Sequence, residues 1–298
     1  MGGAVGAAVA ESMGGIGVMS AEQKITGETR LAGVMGWPVE HSRSPLMHNY
    51  WCRTHGVNGA YVPLPTPPEG FEVALKGLKA AGFRGVNVTI PHKEAAMVAC
   101  DRLTDTARRA GAVNTVVFTP EGIVGDCTDG SGFCENLVAH GVIPQGRALI
   151  LGAGGAARAV AAALLDRGCE VLIANRTLAR AEALVEALAG GEAIAWHDWP
   201  ALLSGCSLLI NATALGMKGE SPDWTALLRE AGPCLAVADI VYTPRETPLL
   251  QAAEAKGLKT VDGLGMLIHQ AGVGFEAWFG VKPQVDEAVF ALLADSLR

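Results

Sequence analysis

From Leu31 onward, short apolar runs alternate with segments whose apolar positions recur at helical spacing, and Gly, Pro or polar clusters punctuate the two. LAGVMGW, starting at Leu31, reads as a buried strand ended by Pro38, and Met47 to Cys52 as the start of a helix. Tyr61 to Pro63 is a second strand. Phe71, Ala74, Leu75 and Leu78 share one face of a helix over 71–81 that Gly82 ends. In FRGVNVTIPHKEAA, Val86, Val88 and Ile90 alternate with Asn87 and Thr89, so the two polar side chains project from one strand face. Pro91 stops that strand, and Lys93 opens the next helix. RAGAVNTVVF is a helix end and a strand with Asn114 at their junction, and a helix through Cys134 to Ala139 follows the turn GDCTDGSGF.

The pattern is most regular between Arg147 and Arg180. The run Ala148 to Leu151 breaks into Gly152, Gly154 and Gly155, an Ala-rich helical segment follows to Gly168, and Glu170 to Ala174 is apolar again. Strand, tight turn, helix and strand make one βαβ unit. Gly152, Gly154 and Ala157 satisfy the G-x-G-x-x-G/A spacing, which lets a backbone approach a pyrophosphate and aims helix N–H groups at it. An acidic residue about 20 positions on would accept from a free ribose 2′-hydroxyl. This chain offers Asn175, Arg176, Thr177 and Arg180 there instead, and guanidinium groups suit a 2′-phosphate, so the spacing predicts NADP rather than NAD.

The alternation continues with a helix over Leu178 to Leu188, strands over Ser207 to Asn211 and Leu235 to Val241, a helix opened by TPRETPLL, a strand at Thr260 to Val261, and a helix from DGLGMLIHQ that carries Gln270. NATALGM puts Asn211 and Thr213 at a strand's C-terminal end, where open α/β sheets bind ligands. The expected architecture is two α/β domains: a substrate-binding domain over residues 30–128 joined by the C-terminal helices 264–298, and a Rossmann-type NADP domain over 129–263. Residues 1–29, rich in Gly, Ala and Ser, lack the cationic start and apolar stretch of a signal peptide. They are expected to form a flexible extension, with Met13 and Met19 as alternative starts.

Composition narrows the function. At 298 residues the chain is long enough for two cores, and charges interrupt each apolar run before the ~20 residues of a membrane span. A net charge of −7 without any basic run disfavours nucleic acid, and no membrane association is expected. Seven cysteines without a C-x-x-C pair point to a reducing, cytoplasmic setting, with neither a disulfide framework nor a zinc site. No metal is expected. Ser42 and Ser44 stand in a loop near Pro45, where turn and cap roles compete with ligand binding. Asn87 and Thr89 suit a polyol or carboxylate but also an ordinary strand face. Asp126 and Asp129 sit in a turn that Asx geometry also explains, although Asp129 falls at the expected passage between domains. His41, His48, His92 and His269 have no spaced carboxylate or second histidine and read as structural.

Nine stretches in series, HSRSPLMHN, NVTIPHK, GAVNT, GDCTDG, GAGGAARA, NRTLAR, NATALGM, DIVYTP and DGLGMLIHQA, resemble the shikimate dehydrogenase family from about Leu31 to the end. The resemblance implies reversible, NADP-linked reduction of 3-dehydroshikimate to shikimate in aromatic amino acid (chorismate) biosynthesis. It further implies Ser42, Ser44, Thr89, Lys93, Asn114, Asp129, Tyr242 and Gln270 around the substrate. Asp105, the turn Gly152, Ala153, Gly154, Gly155, Ala156, the segment Asn175 to Arg180, Ile240 and Gly263 would border the cofactor. Cys127 departs from the asparagine expected between the two acids, which bears on that turn's local hydrogen bonding.

Reduction of a ketone by hydride leaves an alkoxide that needs a proton. Lys93 is expected to supply it and to take it back in oxidation, with Asp129 orienting it and binding a ring hydroxyl. Asp129 would raise the lysine pKa above its ordinary ~10.4, which suits the acid role. Two readings compete with this one: a quinate/shikimate dehydrogenase of broader substrate or NAD use, and a non-catalytic NADP-sensing protein. The small-molecule substrate is the one partner expected, and the chain is expected to be a monomer or homodimer.

Overall fold

The computed structural model describes residues 24–217 and 221–297. The expected extension therefore lies outside the described residues up to position 23. Its last part is tied to the domain where the Thr29 hydroxyl donates to Asn58 Oδ1 at 2.8 Å.

The chain first alternates strands β1 (Arg30–Gly36), β2 (Gly59–Pro65), β3 (Gly85–Val88) and β4 (Arg102–Leu103) with helices α1 (Ser44–Thr54), α2 (Phe71–Ala80), α3 (Lys93–Ala99) and α4 (Asp105–Ala110). It then closes the sheet with the hairpin β5 (Thr115–Thr119) and β6 (Gly122–Asp126). The order is β2-β1-β3-β5-β6-β4, with β5 antiparallel to both neighbours. This hairpin was not expected from the sequence, where β6 reads only as part of a glycine-rich turn. The strand expected to run to Ile90 stops at Val88: Ile90 turns outward, 74% exposed, ahead of Pro91.

Helix α5 (Asp129–Ala139) leads into β7 (Arg147–Leu151), α6 (Gly155–Leu165), β8 (Glu170–Asn175), α7 (Leu178–Leu188) and β9 (Glu192–Ala195). Next come β10 (Leu208–Asn211), the single-turn α8 (Trp224–Leu227), β11 (Ala236–Asp239), α9 (Pro248–Ala255) and β12 (Lys259–Val261). These strands form an all-parallel sheet ordered β12-β11-β10-β7-β8-β9. Its strands are apolar on both faces because both are covered. Ala148 and Ile150 pack with α5, α6 and α7, while Leu149 and Leu151 pack with Trp199, Trp224 and Leu250. Strand order reverses between β7 and β10, which opens a crevice at their C-terminal ends.

The helix opened by TPRETPLL begins only at Pro248, because the Thr247 hydroxyl caps it by accepting from Leu250 N. The chain then returns to the first sheet. Helix α10 (Leu264–Phe279) lays Ile268, Ala271, Phe275 and Trp278 on Ala32 and Val34 of β1, joined by Val289 and Leu293 of α11 (Glu287–Ser296). The Trp278 indole donates to the Val116 carbonyl at 2.9 Å. Nearer the start of α10, Gly132 of α5 meets Gln270 so closely that a Cβ would stand 2.6 Å from its backbone nitrogen. A side chain at Gly132 would push apart the two helices that frame the interdomain cleft. Among the described residues no helix is long and apolar enough to cross a membrane.

Candidate active site

A cavity of about 510 Å³ lies between the two sheets. Its walls come from the ends of β1 and β3, the starts of α1, α3 and α5, and, opposite them, α6, α10 and the segment after β11. Ser42, Ser44, Asn87, Thr89 and Lys93 stand on this wall, as do Asn114, Asp129, Tyr242 and Gln270. Residues spread over more than two hundred positions thus converge because strand ends and helix starts of both sheets open on one crevice.

At its floor, Lys93 at the start of α3 and Asp129 at the start of α5 form an ion pair, Nζ to Oδ2 2.6 Å, with side chains 32% and 14% exposed. The second carboxylate oxygen accepts from Asn114 Nδ2 at 2.7 Å, which fixes the plane of the acid. Asn114 is itself held, its carbonyl accepting from Thr128 N at 2.9 Å and from the Thr115 hydroxyl at 3.0 Å, and its amide lies 3.2 Å from Gln270 Oε1. Burial pushes the Lys93 ammonium down, but the charge and hydrogen bond of Asp129 outweigh it and hold the pKa above the ordinary lysine value. The amine is therefore a protonated, oriented donor at neutral pH.

Asn87 differs from the other polar residues of the wall. Its Oδ1 accepts from the Tyr61 hydroxyl at 2.7 Å, and its Nδ2 donates to the Asn114 backbone carbonyl at 3.1 Å and to Thr115 Oγ1 at 3.2 Å. Its amide end is committed to Asn114 and Thr115 and its oxygen to Tyr61, so it is a buried structural link rather than a solvated strand residue. Ser44 is nearly buried, its N–H donating to the Ser42 hydroxyl at 3.3 Å, and Ser42 remains accessible.

Cys127 leaves the turn well ordered. Its N–H donates to Asp126 Oδ1 at 2.8 Å, and that oxygen also accepts from the Thr104 hydroxyl at 2.5 Å and from Thr106. The buried thiol is pushed up to about 12, by desolvation first and by the Asp129 charge next, so it stays neutral beside the ion pair.

The histidines have structural surroundings or none. His48 is buried, stacked on Tyr61 at 4.1 Å and ringed by Trp51, Phe275 and Trp278, and burial lowers it to about 3. His92 stacks on Phe71 and donates to the Thr66 carbonyl at 2.7 Å. Burial also lowers His269, while His41 lies at the cavity rim, exposed.

The proposed cofactor residues divide. Ala156, Ile240 and Gly263 line the main cavity, and Ala153, Gly154 and Arg180 line a neighbouring hollow of about 240 Å³. Gly152, with φ +109°, turns the chain so tightly that a Cβ would lie 2.9 Å from the Ala212 carbonyl oxygen. A Cβ on Gly154 or Gly155 would meet nothing within 4 Å, so the start of α6 faces open space that a phosphate can enter. Asn175 ends β8 and donates to the Thr177 carbonyl at 2.8 Å, setting the turn from which Arg176 and Arg180 project. Both arginines are exposed, and neither forms an ion pair within the described residues. An open glycine turn, a free helix start and two unpaired cations fit a dinucleotide with an extra phosphate.

Thr213 borders neither hollow, and its hydroxyl donates to Asn211 Oδ1 at 2.6 Å. Asp105 is 95% exposed at the start of α4, pairs with Arg108 at 2.8 Å and, like Arg176 and Thr177, lines neither hollow.

Three residues escaped the sequence reading. Arg43 lies between the two serines on the cavity wall. Arg158 lines the smaller hollow and donates from Nε to the Arg109 carbonyl at 2.9 Å, and its place in the first turn after the glycines was the available signal. Asp239 is a buried acid closing the apolar run AVAD, and a charge at the end of such a strand was the clue.

Profiles of the shikimate dehydrogenase substrate binding domain, of shikimate/quinate 5-dehydrogenase and of the shikimate 5′-dehydrogenase C-terminal domain match residues 34–116, 138–218 and 263–288. The NADP(+) shikimate dehydrogenase of Gluconobacter oxydans is 75% identical over 275 residues, 92% of this chain and 99% of that protein. Shikimate 5-dehydrogenase of Thermus thermophilus, solved with NADP(H) and shikimate, superposes with a TM-score of 0.80 at 39% identity, covering 91% of this chain and all of that one. The 5-ketofructose reductase of a Gluconobacter strain superposes with a TM-score of 0.83 at 32% identity, covering 92% and 100%. Backbone similarity therefore does not by itself select a substrate, whereas the sequence match is far closer to one group. The chain belongs to the shikimate dehydrogenase family.

Proposed function

We propose that the chain catalyses the reversible, NADP-linked interconversion of 3-dehydroshikimate and shikimate in the cleft between its two sheets. The observation that carries this reading is the 2.6 Å Lys93–Asp129 ion pair at the floor of a cavity whose rim meets the start of α6. The division into a substrate domain over 30–128 with 264–298 and a coenzyme domain over 129–263 is part of the proposal.

The coenzyme is held by the Gly152 to Ala156 turn, Asn175, Thr177, Arg176 and Arg180, with Ile240 and Gly263 beside the cavity; Thr213 stiffens the adjoining loop. When bound, NADPH supplies a hydride equivalent to the carbonyl carbon. The rest of the work falls to this chain's side chains. Lys93 Nζ gives a proton to the oxygen of the carbonyl being reduced and recovers it in the reverse direction. Asp129 keeps the amine charged and aimed, and binds a ring hydroxyl with Asn114 and Gln270. Ser42, Ser44, Thr89 and Tyr242 contribute neutral hydrogen bonds around the ring and its carboxylate, and Asn87 holds Asn114 in place. The non-catalytic reading has less support, because a sensor needs no part-buried ion pair aimed into its ligand cavity. The test is NADPH formation from shikimate and NADP⁺, run beside quinate and NAD⁺. Turnover is expected with shikimate and NADP⁺ above the other three combinations, and no turnover with shikimate and either coenzyme would overturn the reading.

A further inference from the structure

Resting on that reading, we infer that Asp239 is a positioning residue that sets the coenzyme-side wall of the cleft without itself touching coenzyme or substrate. Asp239 ends β11 and is 1% exposed, and no cation pairs with it among the described residues. Its carboxylate instead collects donors from three segments. Asn211, ending β10, donates from Nδ2 to both oxygens at 3.0 and 3.1 Å; Val241 donates from its backbone at 3.0 Å; the Thr247 hydroxyl donates at 2.8 Å.

Each donor sets a different part of the wall. Asn211 passes the constraint on, because its carbonyl accepts from both the backbone N–H and the hydroxyl of Thr213, at 3.1 and 2.6 Å. Val241 lies between Ile240 and Tyr242, which both line the cavity. Thr247 is the cap of α9, so the segment from 239 to 247 is anchored at both ends. Gly263 packs so tightly on the Ile240 carbonyl that any side chain there would collide, so a shift of this segment would also move the start of α10.

A buried carboxylate without a counter-ion is an expensive way to hold a fold, and an apolar residue of similar size would serve packing better. Orientation of loops is a task that an acceptor-only group with two oxygens does perform. An asparagine has one acceptor oxygen and would turn an amide N–H₂ toward groups that are themselves donors.

The experiment uses the full chain as wild type, Asp239→Asn and Thr247→Val. Affinity for NADP⁺ is read by quenching of intrinsic tryptophan fluorescence, and KM and kcat by shikimate oxidation. Asp239→Asn is expected to weaken NADP⁺ binding and raise its KM roughly tenfold or more, with a smaller rise in the KM for shikimate through Tyr242. Thr247→Val, which removes one donor, is expected to follow in the same direction by about threefold. NADP⁺ affinity within about twofold of wild type in both variants would overturn the inference, as would loss of kcat at unchanged KM. If Asp239→Asn does not fold, Thr247→Val alone decides by the same criteria. Failure of the parent reading would be distinct, since wild type itself would then not turn over.

Discussion

The two sides of the cleft are built in opposite ways. On the first sheet's side the polar groups are already paired: Lys93 with Asp129, Asp129 with Asn114, and Asn114 with Asn87 and Thr128. On the second sheet's side, Gly154 and Gly155 face open space, and Arg176 and Arg180 are exposed with no ion-pair partner among the described residues. The difference follows from what each must recognise. Proton transfer needs donor geometry fixed before the substrate arrives, because misplacement costs rate. A phosphate brings its own charge and is met well by cations that have not been neutralised internally. One side is preorganised by internal pairing, and the other keeps its cations exposed.

The largest expected effect breaks the preorganised side. Lys93→Ala should lower kcat by roughly 10²–10⁴ with a lesser change in KM, measured by steady-state shikimate oxidation. Asp129→Asn should lower kcat less, by about 10–10³, and displace the pH profile. In wild type the raised Lys93 pKa keeps the ammonium charged, so reduction fails only as pH rises through that elevated value. Without the Asp129 charge the desolvated amine loses its proton earlier, and the alkaline limb of kcat for reduction should move to lower pH.

On the open side, replacing both Arg176 and Arg180 by Ala should raise KM for NADP⁺ by about 10- to 100-fold while leaving KM for NAD⁺ near wild type. The contrast between coenzymes is the readout. A fall in both affinities would mean that the arginines shape the turn rather than meet the phosphate.

A smaller effect sharpens the energetic contrast. Burial raises the Asp239 carboxyl from 3.8 to about 6, so the folded state holds this proton more tightly than the unfolded chain. Its contribution to stability is therefore fully present below the unfolded value and is lost as pH rises through about 6, a loss on the order of 3 kcal/mol. Urea unfolding at pH 5 and pH 8 should show roughly half of this loss in wild type, the rest falling between pH 3.8 and 5, and none of it in Asp239→Asn. Smallest of all, mild alkylation near neutral pH should label the exposed Cys234 and spare Cys127, whose buried thiol is raised to about 12, with activity retained. Peptide mass spectrometry reads the sites.

The sequence made the alternating architecture legible wherever an element is marked by local chemistry. The βαβ unit around Gly152 and the helix over Leu178–Leu188 carry such marks, whereas the packing of the C-terminal helix on the first sheet shows only in its contacts with β1. The cavity wall was legible for a related reason: Lys93 and Asp129 open helices and Asn114 directly precedes β5, places where polar residues interrupt an apolar pattern. What could not be read depends on pairing between distant segments. The β5–β6 hairpin looks like a turn until β3 supplies its partner. Asn87 looks like a solvated strand residue until Tyr61 and Asn114 pair with it. Asp105 matches a pattern by position, and its pairing with Arg108 shows only in the structure. Asp239 shows as an anomaly in an apolar strand, but its role is visible only with Asn211 and Thr247 in place.

The proton-donor role of the Lys93 amine is tested most directly by chemical rescue of Lys93→Ala with small primary amines, at saturating NADPH and 3-dehydroshikimate. Turnover should start low and rise with methylamine concentration, while NADP⁺ affinity matches wild type. Turnover within about tenfold of wild type before any amine is added would contradict the account.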